Sequence, residues 1–162
     1  MVRNVTVLCV GKLKEGYLRD ACAEYGKRLN GFCQFSVVEV EEERMPESPS
    51  AAQIEAALAA EGRRLIAKIP SGAAVIPLCI EGKMLSSPEL AAFLDKLSVN
   101  GTSHVALVIG GSWGLSEEVK SMARLRLSMS PMTFPHQLAR VMLLEQLYRA
   151  MHISSEIGRA HV

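Results

Sequence analysis

Apolar positions along this chain fall into two alternating patterns. Short runs of aliphatic and β-branched residues at 5–10, 35–40, 73–80, 104–109 and 125–129 have strand length. Runs as continuous as Val5-Thr-Val-Leu-Cys-Val10 suit strands buried on both faces. Between the runs, apolar residues recur every three or four positions. Leu18, Ala21, Cys22, Tyr25 and Leu29 predict an amphipathic helix over about 17–30. Ser50, three residues before Gln53, has capping-box spacing and opens an Ala-rich helix carrying Ile54, Leu58, Leu65 and Ile66. Ser87-Pro88-Glu89 starts a third helix, to about 98, and Ser116 caps a short acidic one. Pro135 stands where a last helix begins, predicted over 136–152.

Strand and helix alternating in this way predict an α/β fold, a mostly parallel sheet flanked by helices. No repeat or low-complexity linker divides it, so a single domain is expected. Two details qualify the third strand. Pro77 removes a ladder donor, which places the strand near a sheet edge or makes it bulge, and Glu81-Gly82-Lys83 reads as the turn that ends it.

A length of 162 residues with 49% hydrophobic positions is enough for one well-buried domain. The net charge of +1 excludes a broad basic footprint, so an RNA partner would have to be met by a local patch. Lys12, Lys14, Arg19, Lys27 and Arg28 form either a solvated face or such a patch. Glu41-Glu42-Glu43 lacks the spacing of metal ligands and reads as a solvated strand end, and no metal is expected. Arg63, Arg64 and Lys68 complement a helix dipole. Cys9, Cys22, Cys33 and Cys79 have no C-x-x-C spacing and read as small buried hydrophobes. No leader and no membrane-length apolar run is evident, so a cytoplasmic location is expected.

The chemistry concentrates between residues 107 and 140. The strand at 104–109 stops at Gly110-Gly111, where the missing side chains let something approach the backbone. That loop lacks both G-x-G-x-x-G spacing and a Gly-Lys-Ser/Thr ending, so it is no phosphate cradle; it reads as a turn for helix packing or a pocket wall. The apolar, proline-stiffened loop from Met129 to Phe134 would make a second wall, suited to a flat uncharged ring with a thioether arm. His136 and Arg140 follow one helical turn apart. His136 is either satisfied locally or binds substrate. Arg149 either pairs with Glu145 or holds a phosphate. The last helix is apolar on more than one stripe, which suggests cover on two sides, a second subunit being one natural cover.

Several ordered motifs, covering about residues 4–153, resemble one family. They are Val7-Leu-Cys-Val-Gly-Lys-Leu-Lys14, Glu24-Tyr25, Arg28-Leu29, Glu81-Gly-Lys-Met-Leu-Ser-Ser87 and Val108-Ile-Gly-Gly-Ser-x-Gly-Leu115, where position 113 is open. Leu127-Ser128, Met132-Thr-Phe-Pro-His-Gln137, and Arg140 with Glu145-Gln-Leu-Tyr-Arg-Ala150 complete the set. Together they resemble the RlmH/YbeA family, SPOUT-class methyltransferases that modify N3 of a pseudouridine in bacterial 23S ribosomal RNA. The resemblance implies a SPOUT fold with a C-terminal trefoil knot, a homodimer, and S-adenosyl-L-methionine as cofactor. It implies 23S rRNA as partner, within the large subunit or the assembled ribosome. By motif matching, the cofactor site falls on Leu78, Gly110, Met129, Ser130, Pro131, Met132, Thr133 and Phe134. The N3 proton must leave before the ring nitrogen attacks a methyl group, so a base or an anion-favouring environment is required. His136, Arg140 and Arg149 are the catalytic candidates.

The C-terminus departs from the family. Its members end in Tyr-His and a basic residue, an element resembling a substrate-side arm that reaches the partner's pocket. Here Glu156-Ile-Gly-Arg-Ala-His-Val162 follows the domain at 1–155 and looks like a translated sequencing adapter. His161 is therefore not equated with the family's tail histidine. The alternatives are a catalytically impaired ribosome-binding dimer, or a SPOUT methyltransferase with another RNA substrate.

Overall fold

The computed structural model describes residues 1–160, with side chains described to 157. Its elements are β1 (Asn4–Val10), α1 (Gly16–Leu29), β2 (Gln34–Val40), α2 (Ala51–Ala67) and β3 (Ala74–Met84). These are followed by α3 (Ser87–Val99), β4 (His104–Ile109), α4 (Glu117–Ser121), β5 (Leu127–Ser128) and α5 (His136–Ala160). The five strands lie in the order β2-β1-β4-β3-β5, and every pairing is parallel. The expected α/β architecture, a parallel sheet flanked by helices, is what the chain forms.

β1 and β4 are central and buried on both faces, as their unbroken apolar runs require. On one face Val5, Val7, Ile76, Leu107 and Ile109 pack with Leu29 of α1, Leu94 of α3 and Leu144 and Leu147 of α5. On the other, Leu8, Val75 and Val108 pack with Leu65 of α2 and Val119 of α4. α2 and α4 approach so closely that a Cβ on Gly62 would overlap the Ser116 hydroxyl. The two apolar sides of α5 are covered within the chain by α1 and α3. The breadth of its apolar surface therefore has an internal cause.

The structure departs from the sequence expectations in four places and meets the expectation at Pro77. β3 continues through Glu81-Gly82-Lys83 instead of turning. A Cβ on Gly82 would lie 2.7 Å from the Arg126 carbonyl oxygen, and the Lys83 N–H donates to that oxygen at 2.8 Å. The glycine serves a close strand approach. Pro77 sits in register with Val108 of β4, and the pairing to the edge strand β5 shifts register between Leu78 and Lys83, so both the near-edge place and the irregularity occur. β5, the edge strand beside β3, is only two residues long. α3 is capped by Ser86, whose hydroxyl accepts from Glu89 N and whose backbone N–H donates to the Glu89 carboxylate at 2.8 Å. α5 runs past 152, since Ser154 donates to Asp95 of α3 at 2.8 Å and Glu156 pairs with His152. The sequence-predicted atypical tail thus begins inside α5; His161 and Val162 lie outside the described residues.

Arg64 also does more than face a helix dipole. It donates to Glu43 Oε2 at 2.6 Å and to the Glu41 carbonyl, drawing the acidic segment after β2 onto α2.

Candidate functional site

In a parallel sheet, ligands collect beyond the carboxyl ends of the strands, where successive loops part. Here β4 and β5 end beside the middle of β3, and the loops that follow them open onto one cleft. Its inner compartment is lined by Leu78 within β3, Gly110 and Gly114 after β4, Met129, Ser130, Met132, Thr133 and Phe134 after β5, and His136 at the start of α5. The outer compartment shares Leu78, Thr133, Phe134 and His136 and adds Glu81, Trp113 and Lys120.

Each wall has a local cause. A Cβ on Gly110 would overlap the carbonyl of Gly114, so only glycine lets the loop fold back on itself. The turn is closed by the Gly114 N–H donating to Gly111 O at 3.1 Å, with Gly114 at φ 90°. In the second loop Met132 N donates to Ser130 Oγ at 3.0 Å and Ser128 Oγ to Ser130 O at 3.3 Å. Those bonds hold the loop without help from α5. The helix then begins with Ala139 N donating to Pro135 O.

Among the described residues, no carboxylate, lysine or arginine lines the inner compartment. Charge appears only at the rim, where Lys120 donates to Glu81 at 2.8 Å. That bond holds the Glu81 carboxyl below its ordinary pKa and raises that of Lys120. The thiol of Cys79, beside Leu78, is pushed up by burial. A neutral, largely apolar inner space with backbone-lined glycine and proline loops fits an uncharged heterocycle on a short apolar arm.

Of the sequence-predicted cofactor residues, seven of the eight meet here; Pro131 is exposed and does not line the cleft. Of the catalytic candidates, His136 reaches it. Arg140 turns away, 3% exposed, donating to Glu39 Oε2 at 2.7 Å and to the Gly11 carbonyl at 3.2 Å. Arg149 is exposed on α5 and bonded to Glu145 Oε1 at 2.6 Å. Sequence reasoning did not place Cys79, Ile80, Ile109, Leu127 or Ala139 in the site, though they also line the inner compartment, together with Gly111 and Gly114 of the glycine loop already read as a possible pocket wall. Their position at strand exits was the available signal for the first three.

This fold and cleft define the class. The chain belongs to the SPOUT methyltransferases: the family described as Predicted SPOUT methyltransferase matches residues 3–157. Two relatives carry the name Ribosomal RNA large subunit methyltransferase H. The one from Clostridium acetobutylicum is 47% identical, over 93% of this chain and 95% of that protein. The one from Bifidobacterium adolescentis is 50% identical, over 94% and 96%. Among solved structures, a probable methylase family protein from Haemophilus influenzae superimposes with a TM-score of 0.55 at 14% identity, over 98% of this chain and 69% of that one. The Legionella pneumophila methyltransferase Lpg2936, solved with bound SAM, gives 0.50 at 12% identity, over 91% and 66%. At such identities these two structures speak for the fold alone.

Proposed function

We propose that this protein uses S-adenosyl-L-methionine to methylate N3 of a pseudouridine in 23S ribosomal RNA, acting on the assembled ribosome in the cytoplasm. The observation that carries this reading is the meeting of Leu78, Gly110 and the loop from Met129 to Phe134 in one uncharged cleft. The names of the relatives at about half identity supply the substrate class. Near-neutral net charge favours a preassembled target over naked RNA. Among the described residues no helix is long and apolar enough to cross a membrane, and no group of three His, Cys, Asp or Glu is placed to hold a metal ion.

The inner compartment would hold the adenosine and methionine parts through Leu78, Gly110, Met129, Ser130, Met132, Thr133 and Phe134. Pro131 stiffens the loop from outside. When bound, the cofactor supplies an electrophilic methyl group on a sulfonium. The residues do the rest. The loops fix the direction of approach, which contributes to rate by alignment. His136, at the mouth shared by both compartments, orients the target ring or takes its N3 proton. Arg140 acts as a positioning residue, tying the first turn of α5 to the ends of β1 and β2. Arg149 faces solvent, so its part in the reaction requires a second copy to bring it near the base.

A homodimer with a C-terminal trefoil knot belongs to the same proposal. Support for the knot comes from the loops after β4 and β5, which meet His136 and Ala139 of α5 around one cleft. Exposed Met132 and Leu138 beside the cleft support a covering subunit. The test of the whole reading is mass spectrometry of large-subunit rRNA after incubation with protein and S-adenosyl-L-methionine. One added methyl on a pseudouridine is expected; unmodified rRNA at full cofactor occupancy would sink the reading.

A further inference from the structure

Trp113 is the single tryptophan of the chain, yet 52% of it is exposed. Its backbone keeps it there. Gly111 and Gly114 pair as an isolated antiparallel bridge, and Ser112 and Trp113 form the tip between them. The indole therefore stands on a short, stiff support rather than on a loose loop.

Two clefts flank this support. On one side lies the outer compartment of the methyl-transfer cleft, with Thr133, Phe134 and His136. On the other, Glu42, Glu43 and Glu61 gather around Arg44. The carboxylates make that second side unfavourable for a polyanion. The rim of the first side is different. Lys83 and Arg126, joined through the Lys83 N–H and the Arg126 carbonyl, are exposed where β3 runs along β5. Arg126 lies close enough to Cys79 and Glu81 of the outer compartment for its charge to favour their ionised forms, although burial sets the Cys79 thiol upward and Lys120 does most to hold Glu81 down. Neither cation has an ion-pair partner among the described residues. This is the local basic patch that a nearly neutral protein needs in order to meet RNA.

Single-stranded nucleic acid is held by such a combination: an aromatic face for a base and cations for the phosphates beside it. We infer that Trp113 is the stacking platform for a nucleobase of the RNA substrate at the mouth of the cleft, with Lys83 and Arg126 taking the adjoining phosphates. The inference rests on the functional reading above and adds to it the surface that presents the RNA.

The lone tryptophan makes the test direct. With the full chain saturated with S-adenosylhomocysteine, titration with a uridine-containing single-stranded RNA oligonucleotide is expected to quench Trp113 emission. Trp113→Ala is expected to bind S-adenosylhomocysteine as tightly as the unsubstituted protein. It should raise KM for large ribosomal subunits roughly 5- to 100-fold, the range that loss of one stacking contact gives, with Trp113→Phe recovering most of the loss. Absence of quenching together with an unchanged KM in Trp113→Ala overturns the platform while turnover leaves the functional reading intact. An unsubstituted protein that methylates no rRNA overturns the functional reading instead, and quenching then decides the platform alone. Emission that follows protein concentration and ignores RNA also overturns it, and names a second copy of this chain as the occupant.

Discussion

Arg140 on α5 and Glu39 on β2, 101 positions apart, form a 2.7 Å ion pair in which the arginine side chain is 4% exposed and the glutamate 35%. The second guanidinium nitrogen donates to the Gly11 carbonyl at the end of β1. One side chain thus fixes the start of the last helix against two strand ends. Removing one partner of a buried pair leaves the other desolvated without compensation. Arg140→Met is expected to lose about 2–4 kcal/mol, below the full value for a wholly buried pair because Glu39 is partly wet. Urea unfolding measures this. The pairing of Arg140→Met with Glu39→Gln should cost less than the sum of the two, and strict additivity would show that the contact contributes nothing. Arg140→Lys should recover stability better than it recovers KM for cofactor, as expected of a residue that acts through placement.

Gly110 and Gly72 separate two kinds of glycine requirement. A Cβ on Gly110 would run into the backbone of Gly114, whereas Gly72, at φ 77°, has nothing within 4 Å of the same position. Gly72→Ala meets only backbone strain, about 1–2 kcal/mol, and should leave cofactor binding unchanged. Gly110→Ala must reopen the turn that walls the cleft. Calorimetry with S-adenosylhomocysteine is expected to show at least about tenfold weaker binding for Gly110→Ala alone, which corresponds to ~1.4 kcal/mol. Equal affinities in the two variants would remove Gly110 from the cofactor wall.

His136 is the catalytic candidate that lines both compartments. A side chain that moves a proton in the transition state contributes roughly 10²- to 10⁴-fold in rate, while one that only orders the pocket changes KM more than kcat. His136→Ala, assayed at saturating cofactor on ribosomes, is expected to lower kcat at least to the bottom of that range. His136→Gln, which can hydrogen-bond but not titrate, should remain low if the ring relays the proton. Unchanged kcat in both would restrict His136 to lining the cleft.

What the sequence made legible was local. Buried runs such as Val5 to Val10, the Ser50–Gln53 capping box and the glycine stop after Ile109 each carry their cause within a few residues. What escaped depended on contacts far along the chain. Gly82 reads as a turn residue until Arg126 is brought against it, 44 positions later by the numbering. Arg140 reads as a neighbour of His136 on one helix, yet its partners are Gly11 and Glu39, which nothing in α5 announces. The two loops that wall the cleft were readable because glycine and proline chemistry is itself local. The lining by Leu127 and Ala139 depends on how β5 and α5 dock, and remained hidden.

Glu61 is a further case of hidden burial, and it yields a prediction with a definite sign. It sits in α2 at 7% exposure, accepting the Glu43 N–H at 2.9 Å. Burial raises its pKa; the Glu43 hydrogen bond and Arg64 pull it down, while the charges of Glu42 and Glu43 push it up, and the net direction is upward from 4.5. A group that holds its proton more tightly when folded contributes stability that is full below the unfolded pKa and lost as pH rises through the folded one. Ionised Glu61 is therefore a burden at neutral pH. Glu61→Gln keeps an oxygen for the Glu43 N–H and removes the charge. It should be more stable than the unsubstituted protein near pH 7.5, by up to about 1 kcal/mol, a typical size for a single substitution. The difference should shrink as pH falls through the raised folded pKa and the native carboxyl takes up its proton. Thermal unfolding of both proteins across this range reads the trend directly. A gap that widens on acidification would mean that Arg64 and the backbone bond outweigh desolvation, reversing the sign argued for this carboxyl.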